Sequence, residues 1–266
     1  MATITDPARE LADICALLNQ GQNLKGEEVL ATAFEVPAWS TEFYQIIFTI
    51  SGRIDELKSL VGDLDMDEDI KDQARQHLDH MMLAFTPRGL ANQWSHSLQN
   101  YISPANVGPI RMLSAQVRQI HSYPKLDEHE VAELVGLIDT LLDWLETHQI
   151  NEQDFIRQAI VEGLRHLRFR LSRVQWLGWG YTIQSLRDVI GAYMALERGS
   201  DKKSNPDAEA VLKKTQALVT KFFEKVRFAE DAVQTGDFML RAYAVVTLIS
   251  QGKQPVTALL ANLTGS

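Results

Sequence analysis

Apolar residues recur along this chain at the 3.6-residue spacing of a helix surface, and capping residues mark where each stripe begins. Thr5-Asp6-Pro7 places a cap ahead of a proline at a first helical position, after which Leu11, Ile14, Cys15 and Leu18 follow at helical spacing. Residues 26–35 predict a short second helix ending near Pro37. Ser40 is placed to cap a long third, with Phe43, Ile46, Ile47, Ile50, Ile54, Leu57 and Leu60 on its inward face. Asp65 and Glu68 read as an acidic capping box for a helix that buries Ile70, Ala74, Leu78, Met81 and Phe85.

The pattern breaks between Thr86 and Pro109, where Trp94, Leu98 and Tyr101 suggest one short helix. Pro109 then opens a helix through Leu113, Val117 and Ile120. Asp127 and Glu130 form a capping box before a strongly apolar helix with Leu134, Ile138, Leu141, Leu142 and Leu145. Asn151 and Asp154 mark the start of the next, which runs to about Arg173. Trp176-Leu177-Gly178-Trp179-Gly180-Tyr181 interrupts it, as a packed corner or as the lining of a pocket. A helix resumes through Leu186, Ile190, Tyr193 and Leu196, and the polar run 198–207 reads as a linker. Two helices at 207–234 and 237–251 and a short one near 254–263 complete the chain.

No alternating pattern bounded by turn dipeptides occurs anywhere. The fold class is therefore all-α: a multi-helix bundle or helical array of about ten helices without significant β-sheet. Pro104, Gly108, Pro109 and Pro124 interrupt the pattern around 102–125. They divide the chain into lobes at 1–123 and 124–266, unless the helices run on as one continuous domain.

Composition bounds the chemistry. The chain has 266 residues, of which 45% are apolar and 23% charged, enough for a sizeable core. Cys15 is the only cysteine and adjoins an apolar stripe, so a disulfide within the chain is excluded and the thiol reads as core. The N-terminus lacks a basic region followed by an apolar run, and the strongest apolar stretch, Phe238–Ile249, is short and contains Arg241. A secretory signal and a membrane span are therefore not expected, and the cytoplasm is the default compartment.

Charge changes the picture more. The net charge is −9, yet residues 1–156 carry 25 acidic and 10 basic side chains while residues 157–266 carry 10 and 16. Such a contrast predicts either an anionic partner or attraction between the acidic and basic parts.

Several constellations imitate known chemistry without completing it. Asp63, Asp65, Asp67 and Asp69 are similar to the start of an EF-hand loop, but Glu68 and Ala74 replace the glycine and closing glutamate that calcium requires. His77 and His80 share a helical turn, with no further metal ligand specified by the sequence. His129-Glu130 starts like a zinc-protease helix but lacks its second histidine. The Arg–His spacing of the helical ribonucleases of the HEPN superfamily is not met. Seven residues separate Arg88 from His96, and eight separate Arg157 from His166. No catalytic residue, metal or cofactor is therefore assigned.

The positive signal is basic. On a helical wheel Arg157, Arg165 and Arg168 fall within about 80° of one another, and Lys214, Lys221 and Lys225 within about 40°. Arg165, Arg168, Lys214, Lys221 and Lys225 are thus the candidate polyanion-binding residues, beside the stripes that pack inward. The functional expectation is a non-enzymatic interaction module, an adaptor or a subunit of a larger assembly, with a protein partner or self-association. The alternative is a protein that binds nucleic acid or nucleotide through its basic C-terminal half, with a hydrolytic activity that the sequence does not locate.

Overall fold

The computed structural model describes residues 3–19, 23–148, 154–199, 206–226 and 242–243. The fold is all-α, with twelve helices among the described residues. In chain order these are α1 (Pro7–Leu17), α2 (Gly26–Phe34), α3 (Thr41–Asp63), α4 (Glu68–Leu83), α5 (Pro87–Ala91), α6 (Trp94–Asn100) and α7 (Pro104–Ile120). Then come α8 (Glu128–Thr147), α9 (Asp154–Ser172), α10 (Val174–Leu177), α11 (Trp179–Gly199) and α12 (Pro206–Val226). Two three-residue strands, β1 (Thr3–Thr5) and β2 (Tyr123–Lys125), pair with each other. Of the helix expected at 237–251 only residues 242–243 are described, and the one near 254–263, Asn151 and most of the linker lie outside the described residues.

The chain divides into two units. The first comprises Thr5–Tyr123 and Gln175–Gly178. The second comprises Met1–Ile4, Pro124–Val174 and Trp179–Ser266.

In the first unit α1, α7, α4 and α3 form a ring of neighbours, and α2, α5 and α6 pack together beside α3. The caps explain why the helices start where they do. Asp6 accepts from the Arg9 amide at 3.0 Å, and Ser40 Oγ accepts from the Phe43 amide at 3.2 Å. Each satisfies a backbone donor that the first helical turn leaves without a partner. Asp6 is fully buried and also accepts from Ser114 Oγ at 2.5 Å and from Arg118 at 3.3 Å. With Arg111 reaching Asp13 at 3.3 Å, these contacts set α1 antiparallel to α7. Cys15 is buried in this packing, and burial pushes its thiol up to about 12.

Three expectations are corrected here. The residue that caps α4 is Asp67, and no capping hydrogen bond from its side chain forms. Ile70 is 44% exposed, while Lys71 takes the inward position. Its Nζ donates to the Gly62 carbonyl at 3.2 Å and to Glu68 at 3.0 Å, so an ammonium caps the carbonyl end of α3. Lastly, α7 begins at Pro104, where the missing N–H costs nothing, and Pro109 is carried inside the helix.

The second unit contains a four-helix bundle in which α8 neighbours α9 and α12, and α11 does the same. Six-residue connections between α8 and α9 and between α11 and α12 favour antiparallel neighbours. The Asp127–Glu130 capping box forms, with amide-to-carboxylate distances of 2.8 and 2.9 Å. Leu134, Ile138, Leu145, Ile160, Leu164, Leu186, Ile190 and Val211 fill the core. Gly163 allows α9 and α11 to approach closely, since a Cβ there would stand 3.1 Å from Val189.

Candidate interaction surfaces

The basic rows come first, because the sequence singles them out. Arg168 forms a two-pronged pair with Asp139, and Arg165 lies 3.2 Å from Glu146, both acids being on α8. From the opposite flank, Lys225 of α12 binds Glu133 of α8 at 2.6 Å. This hydrogen bond holds the Glu133 carboxyl below its ordinary range and the Lys225 ammonium above its own. Lys214 places its ammonium 5.0 Å from the centre of the Trp144 ring, which in turn stacks on His148. Lys221 is exposed. The two rows are thus brought to opposite flanks of one acidic helix. Four of the five candidate residues are engaged there.

The other arginines of α9 have local work. Arg157 is buried, donates to the Leu145 carbonyl at 2.5 Å and binds Asp154, so it closes the C-terminus of α8. Arg170 donates to the Tyr181 carbonyl at 2.5 Å. Burial lowers its pKa, against the pull of Asp188. The charge contrast read from the sequence is therefore met in part inside the second unit, where α8 supplies the acids. Wheel positions could not show this, because the paired residues lie far apart in the chain, Arg168 29 positions from Asp139 and Lys225 on a different helix from Glu133.

The aromatic turn at 176–181 is densely packed in its first half. Trp176 and Leu177 are buried, and Trp176 meets Phe34 edge-on with ring centres 5.0 Å apart. Beneath it lies Arg53, only 3% exposed. Its guanidinium donates to the Trp176 carbonyl at 2.7 Å and to the Glu10 carboxylate at 2.6 Å. Gly178 has φ +81°, and a Cβ there would lie 2.6 Å from the Arg53 guanidinium carbon. A glycine is required on both counts. Glu56, close by, has its pKa raised by burial in spite of the charge on Arg53.

His77 Nδ1 lies 3.0 Å from the Asn106 side-chain oxygen, while the Asn106 amide donates to the carbonyls of Asn100 and Tyr101. Among the described residues no group of three or more His, Cys, Asp and Glu could hold a metal ion. No helix among them is long and apolar enough to cross a membrane.

One surface was not singled out by sequence reasoning. Trp39, Tyr44 and Phe48 are 41, 43 and 69% exposed. Their rings touch in series: Trp39 to Tyr44 at 5.9 Å, then Tyr44 to Phe48 at 6.0 Å and only 23° from parallel. Trp39 has φ +63°, a left-handed conformation that is costly for a bulky residue. It lies just before the Ser40 cap and leans edge-on against buried Phe43. The signal was available. Tyr44 and Phe48 point about 90° and about 130° away from the centre of the stripe of Phe43, Ile47, Ile50 and Ile54. Aromatic residues off the apolar face of an amphipathic helix can be found on a wheel. No family model matches this chain, and neither does any curated protein or solved structure.

Proposed function

We propose that the chain is a non-enzymatic helical interaction module, and that it recognises a protein partner through Trp39, Tyr44 and Phe48 on the first unit. The observation that carries this reading is the exposed ladder of three touching rings. Aromatic side chains bury about 150–250 Å² each when covered, so the exposed parts of these three represent a driving force held for a partner. The strained backbone at Trp39 points the same way, since the fold retains the strain without burying the ring fully. Polyanion binding by Arg165, Arg168, Lys214, Lys221 and Lys225 has less behind it. Acids of α8 and the Trp144 ring already occupy four of these residues.

Site-specific photo-crosslinking in the native cell tests the reading. A crosslinker at Phe48 should give a discrete adduct, and one at exposed Met112 should not. The adduct is identified by mass spectrometry, and the purified partner is then titrated against the wild type and Phe48→Ser. Equal affinity for both, or no adduct at Phe48, would remove the proposal.

A further inference from the structure

Resting on the reading just given, we infer that the occupant of the Trp39–Tyr44–Phe48 surface is an arginine-bearing, cationic peptide segment. Charge decides between the possible partners. From Lys25 to Lys58 the chain carries six carboxylates and three cations, of which Arg53 is buried against Glu10 and Lys58 is paired with Asp79. Glu35, Glu42 and Asp55 are exposed, and among the described residues no cation is paired with them. The first unit as a whole has 16 acidic and 9 basic side chains over Thr5–Tyr123 and Gln175–Gly178. A phosphate backbone approaching these rings would meet repulsion. A second copy docking by the same face would bring Asp55 of both copies into one interface, adding like charge to it.

The ring geometry selects arginine among cations. Tyr44 and Phe48 are close to parallel and are 43 and 69% exposed, so ring surface is open to a partner. A guanidinium stacks flat on such a surface, and its donors remain available to a carboxylate, whereas an ammonium is a compact, strongly hydrated charge. Asp55 is correctly placed to serve as that carboxylate. It falls within about 20° of both rings on the wheel and about 10 Å further along α3 than Phe48. An extended segment spans that distance in about three residues. One arginine therefore lies over the rings while a second pairs with Asp55.

The test uses the whole chain and four probes: octa-arginine, octa-lysine, octa-glutamate and an oligodeoxythymidylate. Binding is followed by calorimetry and by the chemical shifts of Phe48 and its neighbours. Octa-arginine should bind more tightly than octa-lysine, and the other two probes should leave the ring signals unchanged. Phe48→Ser should weaken octa-arginine by about three- to ten-fold. Asp55→Asn should weaken it and flatten its salt dependence, while Met112→Ser leaves it unchanged. Circular dichroism verifies that each variant is folded. Three results would overturn the inference: binding indifferent to Phe48→Ser and Asp55→Asn, no binding at all, or ring shifts caused by the oligonucleotide. Concentration-dependent dimerisation abolished by Phe48→Ser would also overturn it, in favour of a second copy. In each case the crosslink at Phe48 judges the broader interaction reading separately.

Discussion

Replacing Gly178 with alanine probes the most tightly determined contact of the first unit. Two costs follow from the structure. The left-handed backbone at φ +81° penalises any L-residue by about 1–2 kcal/mol. The added Cβ would also stand 2.6 Å from the Arg53 guanidinium carbon. A flexible side chain usually yields, but this one is held by Glu10 at 2.6 Å and by the Trp176 carbonyl at 2.7 Å, with 4% of its side chain exposed. Displacing it breaks a buried ion pair and leaves both partners in a dry site, which costs about 3–5 kcal/mol. The sum is about 4–7 kcal/mol, a large share of a domain's whole stability.

The two costs separate in the Arg53→Ala background. Alanine at 53 ends at Cβ and removes the overlap, so Gly178→Ala should then cost only the backbone share of about 1–2 kcal/mol. Urea unfolding of the four proteins of the cycle, followed by tryptophan fluorescence, measures the coupling. An identical cost for Gly178→Ala in both backgrounds would refute the reasoning. So would a cost below about 1 kcal/mol in the wild type, because it would fall short of the backbone share alone.

Four further outcomes are expected. The Cys15 thiol, buried and pushed up to about 12, should resist thiol reagents near pH 8 in the native protein and react only as the chain unfolds. Labelling of folded protein at the rate of a small thiol would contradict its burial. The Glu133–Lys225 pair should stabilise the bundle around neutrality. The lowered Glu133 pKa makes its contribution fade as pH falls, and the raised Lys225 pKa makes the lysine's fade at high pH. Glu133→Gln should therefore flatten the acid limb of melting temperature against pH. Asp127→Ala should destabilise by about 1 kcal/mol through loss of the α8 cap, read from urea midpoints at constant slope. Calcium at millimolar levels should not raise the melting temperature, because the Asp63–Asp69 run lacks the residues that complete an EF-hand loop. A rise of several degrees would reverse that conclusion.

The starts and buried faces of several helices are legible in the residues alone. Asp6-Pro7, Ser40 and Asp127 with Glu130 announce helix starts because capping involves residues only a few positions apart. The stripe of Phe43, Ile46, Ile47, Ile50 and Ile54 announces a buried face because helical periodicity is equally local. Tertiary structure decided everything that depends on which helix lies beside which. Whether Ile70 or Lys71 faces inward is set by the carbonyl end of α3. Whether Arg165, Arg168 and Lys225 face a ligand or Glu146, Asp139 and Glu133 is set by the position of α8 between α9 and α12. Arg53 reaches a carbonyl 123 residues away, and only packing creates a dry site in which that hydrogen bond has its strength. Phe48 is exposed because no element of the described chain covers the outer face of α3, and burial is a property of neighbours that residue spacing does not encode.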